Sequence, residues 1–592
     1  MTPIMKSIYK LGFIGVLAFA AVSCVENDPE YAQFADPDVD FTYNVEGDQY
    51  VTDYYVVSTI EFNNVSSKTG TCTWNFGDGT EIQSNDKVVS HKYKEAGNYD
   101  VTLTIAGVGS RTYPLMISDI VPKLSIDSVS NNDELIELNK TAISFNLALP
   151  NPENLKVKYE WYFPEGTSYE DGSAVPDNMF VGYADSTGKV DYPAQMVKFK
   201  NIGSQQVLIR TYFDIEGENR RLADTYLNVQ VASSVEAPTL YYACKKGNIK
   251  AMKLIDQSLL PEGTQILPYD MGVSAGEMPA NILYGEYDAT DEEGNTVKQQ
   301  CIYILDRGKQ YIYVNDTGSV LGDGKITAMN VDGTNVNTVV SNVGKAAFMD
   351  PYFGFISGRE LYYSDRHYGI SKIDIATRGQ AETQNTGDAQ YRGSYVWQNN
   401  LLPYYNRGVA WGSFSRGLYR DAKGVWWWGI RYGGKGVFRF TEADIKLTQN
   451  EAQAAALPPY DIILGDLNLA SFAIDEANGA IYAWNTDAAG GGFYHYELPG
   501  DTGKPTLVHH EPMSANPENS SAEETICTSQ FAVDSEGKRV FFAFRPETGA
   551  ELKYTKAGIY YYDMTDNKVK TYGVSTDEAF GICINPNPSK LF

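Results

Sequence analysis

Apolar and polar residues alternate with a period of two along most of the chain after about residue 40. Trp74 and Phe76 share one face of such a run, as do Tyr99, Val101 and Leu103. Period two marks a half-buried strand, so the chain is predicted to be all-β. One early segment departs from this pattern. Residues 11–22 (LGFIGVLAFAAV) form an unbroken apolar run behind Lys6 and Lys10. A bilayer span needs ~20 residues, so this shorter run predicts a leader over residues 1–23, not a membrane helix.

From about Pro238 the strands recur roughly every 60 residues. The clearest unit is Phe472-Ala473-Ile474-Asp475, a turn through Gly479, Ile481-Tyr482-Ala483-Trp484-Asn485, and then Phe493 to Leu498 after a Gly-rich stretch. Phe531 to Asp534, Val540 to Phe544 and Gly558 to Asp563 repeat it. Second strands are predicted to start at Leu240, Tyr311, Leu361, Val425, Ile481 and Val540. Strand-rich repeats at this period predict a six- (or seven-) bladed β-propeller over residues 238–592. The Leu240 copy lacks a first strand, and the chain ends on an unpaired one near Ile582-Cys583-Ile584. The C-terminus is therefore expected to complete the first blade. Asp306, Asp421, Asp475 and Asp534 are assigned to the short turns between first and second strands and read as structural. Trp426, Trp427 and Trp428 lie in one strand and are expected in the core.

Two further units precede the repeats. The string Trp74-Asn75-Phe76-Gly77-Asp78-Gly79-Thr80, then His91-Lys92-Tyr93, then Gly97 to Thr104, places a tight Asp-Gly turn between alternating strands. It resembles the PKD domain, an immunoglobulin-like sandwich, over residues 40–121. Trp161-Tyr162-Phe163-Pro164-Glu165-Gly166-Thr167 and Gly203 to Ile209 repeat it in part, with Val207 and Ile209 in the places of Val101 and Leu103. Pro164 replaces the turn glycine, so residues 122–235 are expected to be a second, PKD-like sandwich. Asp78 is read as a turn residue and His91 as a strand residue. No chemistry is assigned to either.

Charge narrows the function. Lys and Arg total 48 against 75 Asp and Glu, a net −27. Such a chain repels phosphate backbones, so no nucleic-acid partner is expected. Anionic lipid surfaces are excluded for the same reason. With five His and no C-x-x-C, neither a metal nor a cofactor is expected. The leader ends in Ala21-Val22-Ser23-Cys24, which resembles a bacterial lipobox. That resemblance implies lipidation of Cys24, with residues 24–39 as a tether carrying Glu26, Asp28 and Glu30. The acidic stretch is similar to a Bacteroidetes surface-export signal, and equally to a solvated linker.

The whole layout resembles the PKD-like family lipoproteins of Bacteroidetes. The resemblance implies an outer-membrane, outward-facing accessory protein beside a SusC/SusD-type importer, binding glycan or peptide without catalysis. A propeller glycosidase or lyase, or a purely structural docking subunit, are the alternatives. Connections from second to third strands, and those entering the next blade, should gather on one face. That face is expected to carry Arg366, His367, Tyr368, Trp397, Tyr404, Tyr405, Arg431, Tyr432 and Asn485 as ligand contacts. Rings beside fixed donors suit neutral sugars or peptide backbones.

Overall fold

The structure, a computed structural model, describes residues 37–47, 53–56, 58–130, 135–149, 156–184, 196–215, 217–222, 224–308, 312–314, 319–321, 324–341, 351–365, 369–376, 394–397, 415–430, 436–441, 461–487, 490–500, 503–513, 530–544, 557–573 and 577–590. Among them there is no α-helix. Strands are broken only by turns and two short 3-10 segments, Pro176–Asn178 and Gln257–Leu259.

The first sandwich packs a sheet of Phe41–Val45, Ile60–Asn64 and Val88–His91 against one built around Cys72–Asn75 and Gly97–Ile105. Alternation drives it: Trp74, Phe62, Val101 and Leu103 are fully buried, while Asn75 and Asp100 turn outward. Phe41 meets the Trp74 ring edge-on at 5.2 Å. Asp78 Oδ1 accepts from the Thr80 amide at 2.9 Å. His91 Nε2 lies 2.7 Å from Asp78 Oδ2, and its ring stacks on Phe76 at 4.1 Å. Burial alone would raise the Asp78 pKa, but the bonds to His91 and Thr80 hold it below the usual range.

The second sandwich repeats this plan around Trp161, also fully buried. Trp74 pairs with Leu103 and Trp161 with Ile209. The correspondence of Ile209 with Leu103 thus holds at the level of register.

Six four-stranded antiparallel sheets follow among the described residues, with a separate hairpin of Ile312–Val314 and Ser319–Leu321. Their first strands are Ala579–Ser589, Pro279–Thr290, Pro351–Ser357, Ser415–Arg420, Leu469–Asp475 and Phe531–Asp534. Each first strand touches the next, and Phe531–Asp534 returns to Ala579–Ser589, so the ring is closed. The fold class is therefore all-β, two sandwiches followed by a β-propeller.

Closure comes from the C-terminus, as the missing first strand of the Leu240 copy requires. Ala579–Ser589 pairs antiparallel with Ala237–Cys244, joining residues more than 330 apart. Lys253, fully buried, seals the seam. Its Nζ donates to Ala237 O (3.0 Å), Thr239 Oγ1 (2.9 Å) and Ser589 Oγ (2.8 Å). From the sixth sheet, Gln530 Oε1 accepts from Ile282 N and Ile582 N, both at 2.9 Å, and Nε2 donates to Ile282 O at 2.7 Å. One side chain thus ties the sixth, first and second sheets.

Trp426, Trp427 and Trp428 are all buried. The turn carboxylates act as caps. Asp421 Oδ1 accepts from Lys423 N and Val425 N, and Asp534 Oδ1 from Gly537 N. Asp475 binds Asn478 through both oxygens.

Asp306 requires a correction. It ends the second strand Thr296–Asp306, opposite Pro279. The short turn of that sheet is Asp291 to Asn295. The second strand of the sheet is therefore Thr296–Asp306; Tyr311, expected to open it, lies outside the described residues, and 312–314 belong to the separate hairpin. Ile304-Leu305-Asp306 resembled a first strand because buried strands read alike when both faces are covered.

The second sandwich docks on the short-turn end of the first sheet. Ile202 N donates to Gln265 O (3.0 Å) and Leu267 N to Ile202 O (2.9 Å). Gly203 has φ +97°, and a Cβ there would lie 2.1 Å from Leu267 O, so only glycine fits. Lys590 Nζ reaches Glu137 Oε1 at 3.0 Å.

Two outcomes follow. A chain lacking residues 577–592 loses the innermost strand of one sheet, and calorimetry should show its cooperative melting lost or sharply lowered; an unchanged Tm would refute closure by this strand. Burial pushes the Lys253 pKa down to about 7, with Glu236 opposing weakly, against 10.5 for a free lysine. Between those values the unfolded chain holds a proton that the folded one releases, the neutral amine keeping two N–H donors and accepting from one of the Thr239 and Ser589 hydroxyls. The wild type should therefore gain stability as pH rises from about 7 to 9, by up to ~1.4 kcal/mol per unit, relative to Lys253→Met. Parallel stability–pH curves for the two proteins would contradict this.

Candidate functional site

Strand direction assigns the two ends of the ring. First strands begin, second strands end and third strands begin on one face, opposite the short turns and the docked sandwich. This is the face on which the ligand contacts are expected.

Arg366, His367, Tyr368, Tyr404, Tyr405, Arg431 and Tyr432 lie outside the described residues. Trp397 closes the strand Ser394–Trp397 and pairs with Ile370. That strand is the fourth, outermost one of its sheet, so Trp397 stands at the rim of the face rather than over its centre. Asn485 reaches the face at the end of Ala480–Asn485 but is buried. Its Oδ1 accepts from Asn468 N (3.0 Å) and Asp487 N (3.2 Å), and Nδ2 donates to Gly490 O (3.0 Å). The amide clamps its own loops and is not offered to a ligand. Trp484 is likewise core, within 5.7 Å of the Phe542 and Phe544 rings.

The face carries a second clamp at the entry to the closing strand. Asp577 accepts from Tyr242 OH at 2.7 Å and from Lys250 Nζ at 2.8 Å. Burial alone would lower the Lys250 pKa, but the bond and charge of Asp577 raise it. Nearby Cys244 is pushed up to about 12, by burial first and then by Asp577. Such a thiol is unreactive at neutral pH. The described cysteines, Cys72, Cys244, Cys301 and Cys583, are all unbridged.

Between the first and second sheets the face opens into a cleft of about 610 Å³, lined by Lys246, Ser274, Gly276, Glu277, Asp306, Gly308 and Lys325. Local geometry builds it. Lys246 sits in the tight connection after Ala237–Cys244 with φ 53°, and its amide donates to Gly276 O at 3.1 Å. Lys325 opens its strand directly opposite Asp306. Asp306 is buried, and its carboxylate accepts from Met278 N (2.8 Å), Gly308 N (3.0 Å) and Glu277 N (3.2 Å). Three amides hold it, so it shapes the cleft rather than acting as an acid or base. Among the described residues no group of three His, Cys, Asp or Glu side chains is arranged to hold a metal.

Reasoning from long loops does not reach Lys246, Gly276 and Glu277, because the short connectors 245–247 and 275–278 carry them, and it reads Asp306 only as a turn residue. The available signal was Lys245-Lys246-Gly247 between two strands.

Residues 42–112 match the family model of the PKD domain, in agreement with the Trp74 to Thr80 string. No curated protein matches the chain in sequence. Three solved structures are similar. A quinonprotein alcohol dehydrogenase-like protein from Bacteroides thetaiotaomicron VPI-5482 is 12% identical, covering 77% of this chain and 98% of its own, with a TM-score of 0.32. A protein of unknown function from Bacteroides caccae is 12% identical, covering 59% and 98%, with a TM-score of 0.31. A DUF4784 family protein from Bacteroides caccae ATCC 43185 is 9% identical, covering 75% and 94%, with a TM-score of 0.25. With TM-scores this low, the likenesses carry no argument about function.

The cleft yields a direct check. Gly276 has φ +99°, and a Cβ would stand 2.1 Å from Asp306 Oδ2. Gly276→Ala should lower stability by more than ~1 kcal/mol in denaturant melts; a neutral change would mean that the Asp306 cradle is not tightly packed.

Proposed function

We propose that the protein is a lipid-anchored accessory protein of the outer-membrane surface that binds glycan or peptide nutrients for a SusC/SusD-type importer, without catalysis. One observation carries the reading. The sandwich that leads back to the anchor docks on the short-turn end of the ring, so the long-loop face stays uncovered by the described modules. A rigid closed ring presenting its connections away from the tether suits capture of a ligand from outside. The lipobox at Cys24 supports the anchor. The aromatic residues between 391 and 411 in the sequence, with Tyr432, support a sugar or peptide ligand.

Replacing Cys24 by Ala should release the protein from membranes; retention of that variant in the membrane fraction would remove the anchor. Calorimetry against glycan and peptide panels should find a ligand whose affinity falls up to about tenfold when Tyr404 and Tyr432 become Ala, since a stacking ring contributes ~0.5–1.5 kcal/mol. Full affinity in both variants would place the site elsewhere.

A further inference from the structure

We infer that the cleft between the first two sheets takes the carboxylate group of an acidic oligosaccharide, with Lys246 and Lys325 as its charged contacts. The inference rests on the glycan reading of the long-loop face and names the substrate class.

Charge is the first argument. The chain carries 75 acidic residues against 48 basic ones, yet the two lysines here are at most weakly paired among the described residues. Lys246 Nζ meets Glu277 Oε2 only at 3.9 Å, the outer limit of an ion pair. Lys325 is exposed, forms no ion pair among the described residues, and stands opposite Asp306. The Asp306 carboxylate is already saturated by three backbone amides. An incoming carboxylate would therefore meet Lys325 directly and compete for Lys246 only with the long contact to Glu277.

Pre-organisation is the second. Lys246 holds a left-handed backbone, unusual for a residue with a side chain, and its amide is fixed to Gly276 O. The strain persists because the two connectors hold each other: Ala275 N also donates to Gly247 O at 2.9 Å. The base of the Lys246 side chain is thus positioned before any ligand arrives.

The lining itself selects the class. Every side chain in it is polar or charged, and the remaining positions are glycine. A peptide gains much of its affinity from apolar contact, which this cleft does not offer. A sugar ring with hydroxyls and one carboxylate requires donors, acceptors and a cation, and Ser274, Glu277 and the two lysines supply them. The volume of about 610 Å³ falls within the range of small-ligand sites.

The test uses the full mature chain with trigalacturonate, its methyl ester and triglutamate as probes, by calorimetry at fixed ionic strength. Trigalacturonate should bind, and the methyl ester about tenfold more weakly or less. Lys246→Gln and Lys325→Gln should each weaken the acid by roughly 3–10-fold, with an unchanged Tm because both lysines are on the surface. Added salt should weaken the wild type more than the double variant. Absence of trigalacturonate binding, equal affinity for acid and ester, or indifference to both substitutions would overturn the inference. Lysine-dependent capture of triglutamate alone would overturn the glycan as occupant. A neutral glycan bound equally by wild type and variants would remove this cleft as the contact while leaving the glycan reading of the face intact.

Discussion

The structure depends on one strand pairing. Ala579–Ser589 hydrogen-bonds to Ala237–Cys244 and so joins the end of the chain to the start of the ring. Without it, the first sheet would lose its inner strand and the ring would have two exposed edges, each a row of unpaired backbone groups. Side chains from three directions reinforce the pairing: Lys253 at the short-turn end, Gln530 across the inner strands, and Asp577 at the long-loop end. The same segment also holds the neighbouring module, since Lys590 reaches Glu137 and accepts through its carbonyl from Ser233 N. Ring closure and sandwich docking are therefore one mechanical joint. Its long sequence separation makes it slow to form, because loop-closure entropy must be met before the contacts reward it.

Much of the fold could be read from period-two alternation and punctuation. The Trp74 and Trp161 strings located both sandwiches, and the register of Trp161 with Ile209 matches that of Trp74 with Leu103. The unpaired terminal strand near Ile582 indicated closure. The second sheet is not legible this way, because Ile304-Leu305-Asp306 has the apolar run of a first strand and Tyr311-Ile312-Tyr313-Val314 that of a second. An inserted hairpin there carries the same alternation as the ring, and alternation alone cannot rank two candidate strands.

The site was harder to read. Which face gathers the connections follows from topology, but which side chains remain available there follows from hydrogen bonds. Asn485 sits on the correct face yet is consumed by three backbone partners. Lys246 and Lys325 are nearly 80 positions apart in the sequence and line one cleft only because adjacent sheets bring a connector and a strand start to the same face. Nothing in local composition marks such a pair. The acidic excess makes it informative: in a chain at −27, weakly paired cations mark where an anionic group can approach.

The joint itself can be tested covalently. Ala579 is the register partner of Cys244 in the closing pair, just past a bulge between Tyr242 and Cys244. Regular partners have Cα atoms about 4.5–5.5 Å apart, and a disulfide spans up to about 6.8 Å, which leaves room for the bulge. Refolded from denaturant in an oxidising thiol–disulfide couple, where Cys244 ionises normally before it is buried, the Ala579→Cys chain should link its new thiol to Cys244, peptide mapping should find that bridge, and the Tm should rise. If the oxidised, folded variant kept both Cys244 and the introduced thiol free, the C-terminal strand would not close the ring.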